Sequence, residues 1–140
     1  ESLARLRTPG AAAAILKAVR APYPFPDPTT QVSGKHFDRS FGVRWRGYLC
    51  IALGKLGGDE ARTALEEMAT DASAYRDVRY GATVGLRFIG GEASRPVLER
   101  VAAGDIIREI RVESAEAIAE LDRSRAAGAP RGYAAWREGL

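Results

Sequence analysis

The residues best suited to chemistry gather around the only histidine of the chain. A nucleophile, a base and an orienting acid would be supplied by Ser33 or Ser40, His36 and Asp38. All of them fall in one predicted loop with no recognisable oxyanion donors, so acyl transfer is not expected. His36 also lacks a cysteine or carboxylate cluster at a ligand spacing, and the sequence therefore predicts no metal site.

Two glycine pairs and one cysteine complete the search for reactive groups. Gly57-Gly58 and Gly90-Gly91 have neither the preceding strand nor the lysine of a phosphate-binding loop. Cys50 lies on the apolar side of a predicted helix, which favours a buried, inert thiol over a nucleophile. The sequence thus predicts a protein that is not an enzyme and needs no cofactor.

A repeat organises the elements that carry these residues. Three segments align without gaps at offsets of 33 and 32 residues: Trp45–Gly57, Val78–Gly90 and Ile110–Asp122. Apolar residues recur at helical spacing in each segment, and the small residues Ala52, Gly85 and Ala117 share one column. Each segment is therefore predicted to be the first helix of a hairpin, with the small column allowing close helix packing.

A second helix follows each of the first two segments. Residues 61–69 and 94–102 align position for position, with Leu65 over Leu98 and Met68 over Val101. The glycine turns end the first helices, because glycine tolerates a positive φ. One hairpin cannot bury both of its apolar stripes, so the pattern predicts hairpins stacked in chain order.

The repeated motif resembles the short bacterial HEAT repeats that are also found in phycobilisome lyase subunits. The residues that carry the resemblance are Val78-Arg79, Ala82, Leu86, Ile89-Gly90, Pro96 and Leu98. It implies an all-α fold, namely a right-handed, armadillo-like α-solenoid of about three helix pairs plus an N-terminal half repeat. Residues 1–140 would form one domain, part of a longer solenoid. The resemblance implies a scaffold for a partner protein, or an accessory subunit of a chromophore lyase.

An insert at 21–40 interrupts the repeat. Prolines alternate with other residues from Pro22 to Pro28, which excludes a helix and predicts a loop. The next helix should start between Lys35 and Ser40 and bury an aromatic stripe of Phe37, Phe41 and Trp45. Two interpretations of the insert remain open, since its rings could pack on the stack or line a partner-binding site. The predicted contact residues in the insert are Tyr23, Phe25, Lys35, His36 and Arg39.

The charges are distributed unevenly along the chain. Residues 1–46 hold eight Lys/Arg against three Asp/Glu, a balance of +5, and the remaining 94 residues hold thirteen against fifteen, a balance of −2. The basic N-terminal third makes nucleic-acid binding an alternative function, although it is less favoured than protein binding because five surplus charges are few.

Two sets of charged residues recur in the repeat columns. Arg46, Arg79 and Arg111 share a column and are predicted to form a structural ladder with acidic residues between hairpins. On the second helices, opposite charges stand one turn apart, and we expect them on an exposed ridge that contacts the partner. This predicted ridge comprises Arg62, Glu66, Arg95 and Glu99.

The remaining predictions concern location and the C-terminal end. No stretch approaches the ~20 apolar residues of a membrane span, and no signal peptide is visible, so a cytoplasmic protein without membrane contact is expected. The chain begins at Glu1 without methionine, which is compatible with removal of an N-terminal targeting segment. The first helix of the third hairpin should end near Arg123, followed by a connector at 124–130 and a capping helix at 131–138.

Overall fold

The described part of the protein is helical throughout. The structure is a computed structural model and describes residues 10–21 and 41–128. Within these ranges there are six α-helices, one 3-10 turn at Glu92–Ser94 and no strand, which confirms the all-α prediction. The helices are α1 (Ala11–Arg20), α2 (Phe41–Leu56), α3 (Asp59–Thr70), α4 (Arg76–Ile89), α5 (Arg95–Gly104) and α6 (Arg108–Ala127).

Glycines end the first helices of the repeat. Gly57 and Gly58 follow α2 with φ of 74° and 93°, and Gly90 follows α4 with φ of 68° while its N–H bonds the carbonyl of Leu86. These left-handed conformations suit glycine because it has no Cβ. The prediction that the first helix of the third hairpin ends near Arg123 is wrong. Helix α6 continues to Ala127, because no glycine interrupts it before Gly128.

Neighbouring helices pack in the order of the chain. The first helices of the hairpins form one layer, with α2 against α4 and α4 against α6. The second helices α3 and α5 contact each other, and each also contacts a first helix. Helix α1 packs on α2. Every described hairpin is thus covered by its neighbour along the chain.

The core lies between the two layers and uses the predicted columns. Leu53 and Leu86 from the first helices and Leu65 and Leu98 from the second helices are at most 2% exposed. These matched positions in successive repeats therefore have the same environment. Trp45 differs from its prediction, because it is exposed rather than part of a buried aromatic stripe.

Glycines bring α2 and α4 into backbone contact. A Cβ on Gly47 would lie 2.6 Å from the carbonyl oxygen of Asp77, and one on Gly85 would lie 2.7 Å from that of Cys50. A Cβ on Gly54 would overlap the backbone of Gly85, and one on Gly81 that of Gly47. The two helices therefore approach more closely than any side chain would permit. The predicted small column contained only Gly85 of these four.

Among the helices within residues 10–21 and 41–128, none combines the length and the apolar character that crossing a lipid bilayer requires.

Candidate functional site

The predicted contact residues of the insert cannot be placed. Tyr23, Phe25, Lys35, His36 and Arg39 lie outside the described residues. Their role in partner binding stays a prediction. The same holds for the connector beyond Gly128 and the capping helix at 131–138.

The predicted charged ridge is largely engaged within the protein. Arg62 donates to Glu66 over 3.0 Å, and Glu66 also accepts a hydrogen bond from the hydroxyl of Ser94 over 2.9 Å. Arg95 lies 2.7 Å from both Glu92 and Asp122. The side chains of Arg62, Glu66 and Arg95 are only 25%, 19% and 20% exposed. These three are therefore half-buried and not on a fully exposed ridge as expected, while Glu99 is exposed. Glu66 and Arg95 reach neighbouring elements, and Arg62 pairs within α3. Their role in partner contact stays a prediction.

The arginine column binds the backbone at the ends of preceding helices. Arg46 donates to the carbonyl oxygens of Val19 (3.3 Å) and Ala21 (2.7 Å). Arg111 donates to that of Asp105 over 2.6 Å. A helix C-terminus leaves carbonyls without partners inside the helix, and the guanidinium of the next hairpin supplies donors to this region.

Arg79 makes the most complete set of these contacts. It donates to the carbonyl oxygens of Ala72 and Ala74 and forms an ion pair with Asp105, with 3.1 Å between Nε and Oδ2. Both side chains of the pair are 8% exposed. Asp105 also accepts the backbone N–H of Ile107 over 2.8 Å, at the start of α6. This buried pair joins α4 to the following hairpin. The Arg79 guanidinium is fully engaged with Asp105 and the two carbonyl oxygens.

Large apolar side chains are exposed on the first helices. Trp45, Tyr48, Tyr80 and Val112 are 40%, 68%, 39% and 49% exposed, and Ile106, just before α6, is 67% exposed. Tyr80, Val84 and Phe88 follow one another at helical spacing on α4. We use the name outer face for the surface of the first-helix layer that carries Ile51, Tyr80, Val84, Phe88 and Val112.

Sequence reasoning missed the outer face. Tyr80 and Val112 occupy the same repeat position, one residue after the column arginine, where the first repeat has Gly47. That shared apolar position outside the core stripe was the available signal. This signal was weak, because single exposed apolar residues are common on protein surfaces.

A row of glutamates adjoins the outer face on α6. Glu109, Glu113, Glu116 and Glu120 recur at spacings of 4, 3 and 4 residues, so they share one side of the helix. Arg87 of α4 lies between two of them, 2.9 Å from Glu113 and also bonded to Glu120. The hydrogen bonds that Arg87 donates to these two carboxylates raise the pKa of its guanidinium.

Tyr80 borders this glutamate row. Burial raises the pKa of the Tyr80 phenol, Glu113 raises the pKa further, and Arg87 opposes the shift. On the other side of α4, Lys55 Nζ lies 5.1 Å from the centroid of the Phe88 ring. The outer face thus combines exposed apolar groups with charged groups of both signs at its edges.

Reactive groups are not brought together in the described residues. As predicted, Cys50 is fully buried, its Sγ lies 3.7 Å from Met68 Sδ, and burial raises the pKa of the thiol to about 12. Within residues 10–21 and 41–128, no three His, Cys, Asp or Glu side chains are grouped to hold a metal ion. A groove of about 270 Å³ separates the C-terminal ends of α3 and α5, and its walls include Ala69, Val101 and Ile106.

Neither a family model, nor a curated protein, nor a solved structure matched the chain. The resemblance to HEAT repeats therefore stays an expectation that rests on the repeat motif. Function has to be argued from the surfaces described above.

Proposed function

We propose that this chain is a HEAT-like, right-handed α-solenoid that serves as a non-catalytic scaffold for a partner protein. Support for the solenoid comes from the packing of α2, α4 and α6 in chain order at the spacing of the sequence repeat. The arginine column adds to it, because each member donates to backbone that precedes its own helix. Such repeats stack by contacts between nearest neighbours.

The observation that carries the scaffold function is the exposure of large apolar side chains on a rigid layer. Tyr80 and Val112 are exposed on neighbouring first helices, whereas comparable residues in the core are almost fully buried. Exposed aromatic and aliphatic groups at the centre of a patch are typical anchors of protein interfaces. The backbone contact between α2 and α4 fixes the layer, and a rigid surface loses little entropy on binding.

Affinity capture with surface variants tests this proposal. The full chain is immobilised as wild type, as Tyr80→Ser and as Ile106→Ser, and the captured proteins are quantified by mass spectrometry. Ile106→Ser is the matched control, because it removes a large exposed apolar group that lies outside the outer face. We expect a set of proteins that Tyr80→Ser loses and Ile106→Ser retains.

Thermal unfolding of the three proteins provides the folding control. Capture that is identical for wild type and Tyr80→Ser would contradict the proposal, as would the absence of any protein enriched over an unrelated helical protein. Deletion of residues 21–40 in the same assay measures whether the predicted loop contributes to binding.

A further inference from the structure

The apolar groups of the outer face run along α4 beside the glutamate row of α6. Tyr80 to Phe88 spans eight residues, about 12 Å of helix, and Glu109 to Glu120 spans eleven, about 16 Å. Val112 lies one residue before Glu113, at the far edge of the row. The surface therefore presents an apolar strip about two turns of helix long, with an acidic strip of about three turns alongside it.

The acidic strip keeps an excess of negative charge. Arg87 contacts Glu113 and Glu120, and Arg123 Nη2 lies 3.9 Å from Glu116. These two guanidiniums contact three of the four carboxylates, and a further cation, Arg76, stands one turn before Tyr80 on α4. The side chains of Glu116 and Glu120 are 55% and 45% exposed, so part of this charge faces solvent.

The remaining cations of α6 belong to other sides of the helix. Arg111 is engaged with the carbonyl oxygen of Asp105. Arg108 is placed by the 3.6-residue period on a different side from the glutamate row. On the opposite edge of the outer face, the Lys55 ammonium lies over the ring of Phe88.

From this geometry we propose that the outer face binds a basic amphipathic helix of a partner protein. Apolar residues of that helix pack on Tyr80 and Val84, and its Lys or Arg residues pair with the glutamate row. A helix fits because apolar and basic side chains at i, i+3 and i+4 form two parallel strips of the required length. This inference rests on the proposed scaffold function and specifies the chemical class of the partner.

Charge complementarity decides between partner classes. An acidic helix, an anionic lipid surface or a nucleic acid would place negative charge against the exposed glutamates, which is unfavourable. A basic helix gains attraction at long range, and this attraction is screened as salt rises.

Two synthetic helical peptides test the inference. They share leucines at the same positions and differ only in the polar face, which carries lysines in one and glutamates in the other. Binding to the full chain is measured by fluorescence anisotropy at about 0.05 M and about 0.5 M NaCl. We expect the basic peptide to bind at low salt, with about tenfold weaker affinity at high salt, and to bind at least about tenfold more tightly than the acidic peptide.

Charge-reversal variants locate the site. The double variant Glu109→Lys/Glu116→Lys should lose about tenfold in affinity for the basic peptide and gain affinity for the acidic one. The double variant Glu60→Lys/Glu67→Lys is the matched control, since it reverses two exposed glutamates on α3 that are also seven residues apart, and its affinity should equal that of the wild type. Tyr80→Ser should weaken binding of either peptide through loss of apolar contact.

Three outcomes would overturn the inference: equal binding of both peptides, no binding of the basic peptide, or equal loss in Glu109→Lys/Glu116→Lys and in Glu60→Lys/Glu67→Lys. If the capture experiment nevertheless depends on Tyr80, the scaffold proposal stands and only the basic partner is rejected. If capture is also independent of Tyr80, both proposals fail.

Discussion

The junction between α2 and α4 differs in chemistry from the junction between α4 and α6. The first is a contact of backbones, in which Gly47, Gly54, Gly81 and Gly85 leave no room for a Cβ. The second relies on ion pairs, with Arg87 between Glu113 and Glu120 and with Arg79 buried against Asp105. Helices at the same repeat spacing are therefore joined by close backbone packing at one junction and by ion pairs at the other.

The difference bears on function because the two junctions expose different surfaces. Glycines allow α2 and α4 to close on each other, which leaves Tyr80 and Val84 at the surface beside them. The charged junction instead requires acidic side chains on α6, and part of their charge remains exposed. The outer face obtains its apolar strip at one junction and its acidic strip at the other.

The largest effect is expected from a side chain at the glycine contact. Gly81→Ala places a Cβ against backbone atoms of Gly47, which cannot yield in the way that the end of a flexible side chain can. Overpacking of this kind should lower the free energy of unfolding by more than about 3 kcal/mol, as measured by urea denaturation.

Gly104→Ala is the control for the glycine variant. A Cβ there would meet nothing within 4 Å, and the residue ends α5. Alanine favours helix over glycine, so this variant should be equal to the wild type or more stable by up to about 1 kcal/mol. Similar losses in both variants would show that the α2 and α4 backbones are not in contact.

The buried ion pair of the second junction should give the next largest effect. Arg79→Leu leaves Asp105 buried without its cation and should reduce the free energy of unfolding by about 3 kcal/mol. Adding Asp105→Asn removes the unpaired charge and should recover more than about 1 kcal/mol of that loss. Strictly additive losses in urea denaturation of the single and double variants would argue against the pair.

Alkaline pH should weaken the protein through Cys50. The pKa of this thiol is about 12 in the folded protein and about 8.5 when unfolded. Its contribution to stability is complete below pH of about 8.5 and is lost as pH rises toward the folded value, because only the unfolded chain then releases the proton. The free energy of unfolding should fall by about 1–2 kcal/mol by pH 10 or so.

Cys50→Ala isolates this contribution. Tyr80 also has a raised pKa, and it titrates in both proteins, so the difference between them reports the thiol alone. The variant should lose less stability than the wild type between pH 8 and pH 10 in urea denaturation. Parallel pH profiles would indicate that the thiol is already accessible in the folded state.

The smallest effect is expected at the exposed part of the charged junction. Glu120→Gln removes one carboxylate from Arg87, but the side chain of Glu120 is 45% exposed, and pairs of this kind contribute about 0.5 kcal/mol. The loss should shrink further in 1 M NaCl or so, since salt screens exposed charges. If Glu120→Gln instead lowered the free energy of unfolding by several kcal/mol at every salt concentration, close packing and not charge would hold the second junction as well.

Much of the fold could be predicted from the repeat. The matching columns placed Leu53, Leu86, Leu65 and Leu98 in the core, because burial of one apolar stripe is imposed on each amphipathic helix. The glycine turns were predicted as well, because a left-handed residue ends a helix wherever glycine stands. The end of α6 was misjudged, since the residues between Arg123 and Gly128 are compatible with either a helix or a loop.

The candidate site was far less predictable. Helical periodicity placed Arg62, Glu66 and Arg95 away from the core of their own helices, and it was silent on neighbouring elements that cover them. Ser94 and Asp122 reach these side chains only in the folded stack. The outer face likewise follows from which sides of α4 and α6 are occupied by neighbours.

The sequence by itself determined the helical class and the hairpin period, because local patterns of apolar residues and glycine are enough to specify helices and their ends. Tertiary structure alone decided that glycines join α2 to α4, that Asp105 neutralises Arg79 and that Tyr80 stays exposed beside the glutamates. These features depend on residues distant in the chain, and their geometry is set only when the helices pack.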